Sequence, residues 1–159
     1  AGGGVILQVL SAFKDDTYST SSTTVALITG LTVDITPASS SNKILILGSL
    51  SFSKANTNSG FVLNLFCDEA EIGMGDNTGF TSRPEGIADL NQAATAVTFL
   101  DHRHVHFLHS PSTTSEITYE FRIGSRDSTG IYINTPSSTN NVVYNSVCSS
   151  SITVMEVKG

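Results

Sequence analysis

The sequence predicts an all-β fold, a jelly-roll-like sandwich of two antiparallel sheets. Three observations carry that expectation. About ten short stretches are rich in β-branched and aromatic residues. Turn-forming residues separate them at intervals of roughly 8–12 positions. No segment repeats its apolar residues at a convincing helical period, and no fixed long-range repeat suggests a solenoid.

The elements follow in order. Residues 1–4, Ala1 and three glycines, form a flexible arm, and residues 5–159 form one domain. A first strand spans 5–14, and 15–23 is a turn-rich link. Two short strands occupy 24–36, divided at Gly30. In the second, Leu31, Val33 and Ile35 alternate with Thr32, Asp34 and Thr36, the mark of a half-buried strand. Pro37 and the serines that follow end it. Residues 43–53 form the strongest strand, with Ile44, Ile46, Leu50 and Phe52 on one face and Leu45 and Leu47 on the other. A loop at 56–60 leads to another two-faced strand at 61–67. Asp68 and Glu69 make a tight turn into a short strand ending near Met74. A long surface loop covers 75–94, and strand signals return from 95 to 108. After the turn at 110–115, Ile117, Tyr119, Phe121 and Ile123 alternate with Glu116, Thr118, Glu120 and Arg122, which predicts one wet face. Ile131 and Ile133 mark a short strand. A polar loop at 134–141 precedes strands at 142–148 and 151–158.

Composition narrows the class of protein. Apolar residues make up 39% of the 159 and charged residues 14%. Ser and Thr account for roughly a quarter, which suits strands joined by many turns. A net charge of −6 without a basic run argues against a nucleic-acid groove. No apolar run is long enough for a membrane-spanning helix, and no secretory leader is visible. Cys67 and Cys148 sit among apolar or small residues and read as buried, reduced thiols rather than a disulfide. The chain has no Asn-x-Ser/Thr glycosylation site. Alanine commonly follows a removed initiator methionine, so the chain reads as a complete gene product.

Several segments in order resemble a known family. They are DTYSTSST (16–23), TGLTVDITP (29–37), SSSNKILIL (39–47), GMGD (73–76) with a loop bearing Arg83, TFLDH (98–102), YEFRI (119–123) and GIYIN (130–134). Together they resemble a family of phage and marine-virus structural domains found in tail fibres and head-decorating proteins. The resemblance covers residue 5 to about 134. It implies a β-sandwich that assembles as a trimer. This chain departs from the family pattern at 102–109, where histidines replace a plainer turn. Independently, strands 43–53 and 61–67 carry large side chains on both faces. One face fills the core, and the second needs another cover, which a symmetric copy would supply. The alternative is cover from within the same chain.

Candidate chemistry is sparse. His102, His104 and His106 would share one face of a strand, about 6–7 Å apart at successive positions, with His109 nearby. Imidazoles so placed can ligate a borderline metal or form a pH-sensitive contact. A plain polar face or subunit contact is the simpler reading. Asp68, Glu69 and Glu71 are paired carboxylates only in composition; they read as a solvated hairpin tip rather than a glycosidase pair. Asp15 and Asp16 read as turn residues. The segment 73–79 lacks the Gly-Lys-Ser/Thr ending of a phosphate loop. No Gly-x-Ser-x-Gly elbow is present. Tyr132, Asn140, Asn141 and Tyr144 would suit a sugar, although the chain has no Trp.

These readings predict a non-enzyme without cofactor, metal, nucleic-acid partner or membrane insertion. The expected function is that of a capsid decoration or cement protein. Made in the host cytoplasm, it would bind the outer head surface of a bacteriophage as a homotrimer, with the major capsid protein as partner. The alternative is the receptor-binding domain of a tail fibre or spike, contacting a host surface glycan or protein. The β domain begins a few residues from Ala1 with no shaft before it, which ranks decoration first. A cellular lectin-like or cytokine-like module is a third reading.

Overall fold

A computed structural model describes residues 4–55, 60–76, 78, 86–89, 100–138 and 146–159. Among these residues every regular element is a strand. In chain order they are β1 (Ile6–Lys14), β2 (Tyr18–Thr20), β3 (Ala26–Ile35), β4 (Lys43–Lys54), β5 (Phe61–Cys67), β6 (Ala70–Ile72), β7 (Ala88–Asp89), β8 (Asp101–His109), β9 (Ile117–Ser125), β10 (Ile131–Ile133) and β11 (Ser150–Val157).

The first sheet runs β1-β11-β4-β8, with β10 joining β4 to β2 at one end. The second runs β3-β9-β5-β6, with β7 also on β5. The pairing is nested. The first strand lies against the last (β1 with β11), then β3 with β9, β4 with β8 and β5 with β6, all antiparallel. A long hairpin rolled so that consecutive layers alternate between two sheets is a jelly roll. The expected fold class therefore holds at the level of strand order.

Period-two patterning places the core between the sheets. Ile44, Ile46, Leu50 and Phe52 of β4 and Ile152 and Val154 of β11 face Ile28, Leu31, Val33 and Ile35 of β3 and Ile117, Tyr119, Phe121 and Ile123 of β9. Phe61 of β5 meets Phe52 edge-on at 4.8 Å between ring centroids. At Gly48 the two sheets approach closely. A Cβ there would lie 2.4 Å from Phe121 Cζ, so the ring occupies the space that any larger residue needs.

One residue ties together the breaks after β1 and after β10. Asn134 is fully buried, with a left-handed φ of 65° between β10 and β11. Its Nδ2 donates to Lys14 O and Asp16 O, each at 2.9 Å, at the break between β1 and β2. Its Oδ1 accepts from Ser150 Oγ at 2.7 Å, and its backbone N–H donates to Ser51 O of β4 at 2.9 Å. One side chain thus clamps the outer strand rows to the centre of the sheet. The expected turn-rich link at 15–23 accordingly contains a strand, because Tyr18, Ser19 and Thr20 pair with Ile133, Tyr132 and Ile131.

The two strands expected at 24–36 are one. Gly30 has φ 90°, and the register against β9 jumps between Leu27 and Thr32, so the glycine holds a bulge instead of a break. The turn at Asp68 and Glu69 is present, with Asp68 at φ 52°. Residues 146–149 are not strand. The rest of the expected strand at 142–148, residues 1–3 of the expected arm, most of the loop at 75–94 and the start of the strand at 95–108 lie outside the described residues.

Candidate interaction face

The outward face of the β1-β11-β4-β8 sheet is built by register. Val9 pairs with Met155, Met155 with Leu45 and Leu45 with Leu108, an apolar row across four strands. Two residues along, Ser11, Thr153, Leu47 and His106 form the next row, then Phe13, Ser151, Ser49 and His104. The face therefore grades from apolar to hydroxyl and imidazole. Several members are open to solvent: Phe13 is 67% exposed, Val9 52%, Leu108 50% and Leu47 37%. Beyond Ser51 the face is closed from within the chain, where Ser53 Oγ donates to Thr135 O at 2.9 Å.

The other sheet treats its outward face differently. Val62 and Phe66 of β5 point away from the core, yet are only 8% and 7% exposed. The Arg122 guanidinium lies 4.1 Å from the centroid of the Phe66 ring. Arg122 is also bonded to Glu120 and, at 3.1 Å, to Glu69. Gly86 passes so close that a Cβ would meet Val62 at 2.3 Å. This corrects two expectations. The second face of strand 61–67 is covered within its own chain, and the alternating strand at 116–124 does not present a plainly wet face, since Glu120 is buried beside Arg122 and Phe66.

His102, His104 and His106 do share a face, the outward one, and all three are exposed. His109 points inward instead, and its Nδ1 lies 2.8 Å from Tyr119 Oη. Among the described residues no group of three or more His, Cys, Asp or Glu side chains is placed to hold one metal ion. Two carboxylates of the β5–β6 hairpin, Asp68 and Glu69, serve the turn or its neighbours. Asp68 Oδ1 accepts from Thr118 N at 2.9 Å, and Glu69 meets Arg122. Asp16 holds Lys14 Nζ at 2.6 Å, which lowers the Asp16 pKa. Tyr132 lies in β10 and is half-buried; Arg83, Asn140, Asn141 and Tyr144 lie outside the described residues.

One polar cluster escaped the sequence reading. Cys67, Tyr119 and His109 meet at one end of the core, where Tyr119 bonds both neighbours. Burial, helped by the charge of Asp68, pushes the Cys67 thiol up despite that bond, and burial pushes His109 down. Burial likewise raises the Tyr119 phenol far above its ordinary value. A nucleophilic cysteine needs the opposite shifts, toward thiolate and imidazolium. The alternation of β9 signals Tyr119 as core, but nothing local signals which residues its hydroxyl meets. Cys67 and Cys148 are both free and half-buried, more open than expected.

No family model matches this chain, and no curated protein does. Solved structures with a similar arrangement include VP2 of infectious bursal disease virus in three settings. A mutant VP2 from T=1 particles gives a TM-score of 0.47 at 10% identity, covering 94% of this chain and 36% of that one. The VP2 subviral particle gives 0.47 at 9% identity, covering 94% and 39%. The Gx strain of the virus gives 0.45 at 10% identity, covering 94% and 40%. The chain thus spans two fifths or less of the length of these proteins.

Proposed function

We propose that this chain is a virion structural protein, and specifically a bacteriophage head-decoration or cement protein that binds the outer capsid surface as a homotrimer. The observation that carries the reading is the apolar row Val9-Met155-Leu45-Leu108 on an outward sheet face, with Leu47 in the next row, much of it open to solvent. A contiguous apolar patch of this kind marks an interaction surface. The family resemblance of residues 5–134 supports the virion setting. The shifts at Cys67 and His109 favour a binding role over nucleophilic catalysis.

The mechanism is thermodynamic. A protein that binds the assembled shell and not the loose subunits stabilises the shell by about 2.7 kcal/mol per site at a hundred times its Kd. Three linked copies raise the effective concentration of the second and third contacts. The test is co-sedimentation of the pure protein with undecorated phage shells. Wild type pellets with the shells, and a Val9→Asp, Leu108→Asp variant stays in the supernatant with its melting temperature unchanged. Failure of wild type to pellet overturns the reading, and binding to host cells instead would indicate a tail-fibre adhesin.

A further inference from the structure

The three histidines of β8 carry an inference that goes beyond the virion reading. We propose that the outward face of β8 is a chelating site for a divalent transition ion such as Zn²⁺, in which His104 pairs with either His102 or His106.

β8 pairs with β4 alone among the described residues, so it is an edge of the sheet. His102, His104 and His106 are exposed on its outward face, whereas Arg103, Val105, Phe107 and His109 turn inward. Beside them on β4 the register places Leu47, Ser49 and Ser51, so His104 and His102 face the smaller neighbours. The backbone at His102 also points away from β4. Its N–H donates to Asp101 Oδ1 at 2.8 Å, and its carbonyl accepts from Arg103 Nη1 at 3.2 Å. By alternation, the backbone groups of His104 and His106 lie on the same open edge.

Alternate residues of a strand are separated by about 6.6 Å. Two imidazole nitrogens at about 2.05 Å from a tetrahedral ion lie about 3.3 Å apart. Each ring therefore leans about 1.6 Å toward the other, within the reach of a rotatable side chain. His102 and His106 are about 13 Å apart along the strand and cannot share an ion. The row consequently holds an ion through two neighbours at a time, with water in the remaining positions, which is consistent with no three ligands converging on one point. Imidazole suits zinc, copper and nickel and not magnesium.

The arrangement makes an unequal prediction for three similar residues. His104 belongs to both pairs, while His102 and His106 each belong to one. Calorimetric titration of the untagged full chain with zinc chloride should give one ion per chain with micromolar affinity and no response to magnesium. His102→Ala and His106→Ala each weaken binding about twofold, the loss of one of two equivalent pairs. His104→Ala, or the His102→Ala, His106→Ala double variant, weakens it tenfold or more. All four variants alter exposed side chains, so circular dichroism should be unchanged. Absence of zinc binding at millimolar concentration overturns the proposal, as does His104→Ala binding zinc like wild type through Cys67 or Cys148. Equal losses in the three single variants overturn the paired arrangement.

Discussion

Replacing Asn134 tests whether one side chain clamps the sheet. Asn134→Ala removes three side-chain hydrogen bonds, the buried ones to Lys14 O and Ser150 Oγ and a part-buried one to Asp16 O. At about 1 kcal/mol each, that is about 3 kcal/mol. Ser150 Oγ still accepts from Ser51 N at 3.0 Å, so this hydroxyl is not fully orphaned. The backbone adds to the cost, because φ is 65° and alanine tolerates the left-handed region less well than asparagine by about 1 kcal/mol. The expected loss is about 4 kcal/mol, a large part of a stability of about 5–15 kcal/mol. At an m-value of about 2 kcal/mol/M, the urea midpoint falls by about 2 M. Asn134→Gly keeps the backbone preference and loses only the bonds, so it should fall between alanine and wild type. Asn134→Asp should be worse than alanine at neutral pH, since it aims a carboxylate at two carbonyl oxygens. An Asn134→Ala midpoint corresponding to less than 1 kcal/mol would refute the clamp.

Three further outcomes follow from the packing. Gly48→Ala should cost about 1–3 kcal/mol, because its Cβ would sit 2.4 Å from the Phe121 ring; a smaller residue at 121 should restore part of the loss in thermal melts. Glu156 is buried, which pushes its carboxyl up, but hydrogen bonds from Asn42, Gln8, Ala38 and Ser39 outweigh this and hold its pKa below the ordinary value. It therefore contributes stability that is present above the ordinary carboxyl pKa and lost as pH falls through the depressed one. Unfolding curves across the acid range should flatten in Glu156→Gln. Phe66→Ala, at a covered outward position, should cost about 3 kcal/mol and leave assembly mass unchanged. Leu47→Ser, at an open one, should cost under about 1 kcal/mol and reduce assembly by sedimentation velocity; the reverse pattern would show that the wrong face has been identified.

Much of the sandwich was legible because period-two alternation reports directly on burial. β5 falls at residues 61–67 as expected, and Ile131 and Ile133 form the short strand that their spacing suggests. The histidine row was legible for the same reason. What was not legible depends on partners distant in sequence. Tyr18–Thr20 is too short and polar to read as a strand, and becomes one because Ile131–Ile133 lies beside it. Asn134 reads as a loop residue, and its bonds reach back 120 and 118 positions to Lys14 and Asp16. Gly30 reads as a punctuation mark, and only the register against β9 distinguishes a bulge from a break.

The sharpest lesson lies in β4 and β5, which look alike in sequence and end differently. Each carries large apolar side chains on both faces, and that pattern alone suggests two covers for each. For β5 the second cover is internal. Arg122 stacks on Phe66 while its charge is met by Glu120 and Glu69, and Gly86 brings backbone onto Val62. For β4 the neighbours on the same face are Met155, Thr153, Leu108 and His106, which extend the patch sideways without roofing it. A two-faced strand therefore does not by itself indicate an intermolecular surface. The open apolar surface lies on the sheet containing β4, where Phe13, Val9, Leu47 and Leu108 stay in water, and not on β5. Under the proposed function, a partner copy or a shell subunit would dock on that face, adjoining the histidine edge, because its apolar side chains are open to water.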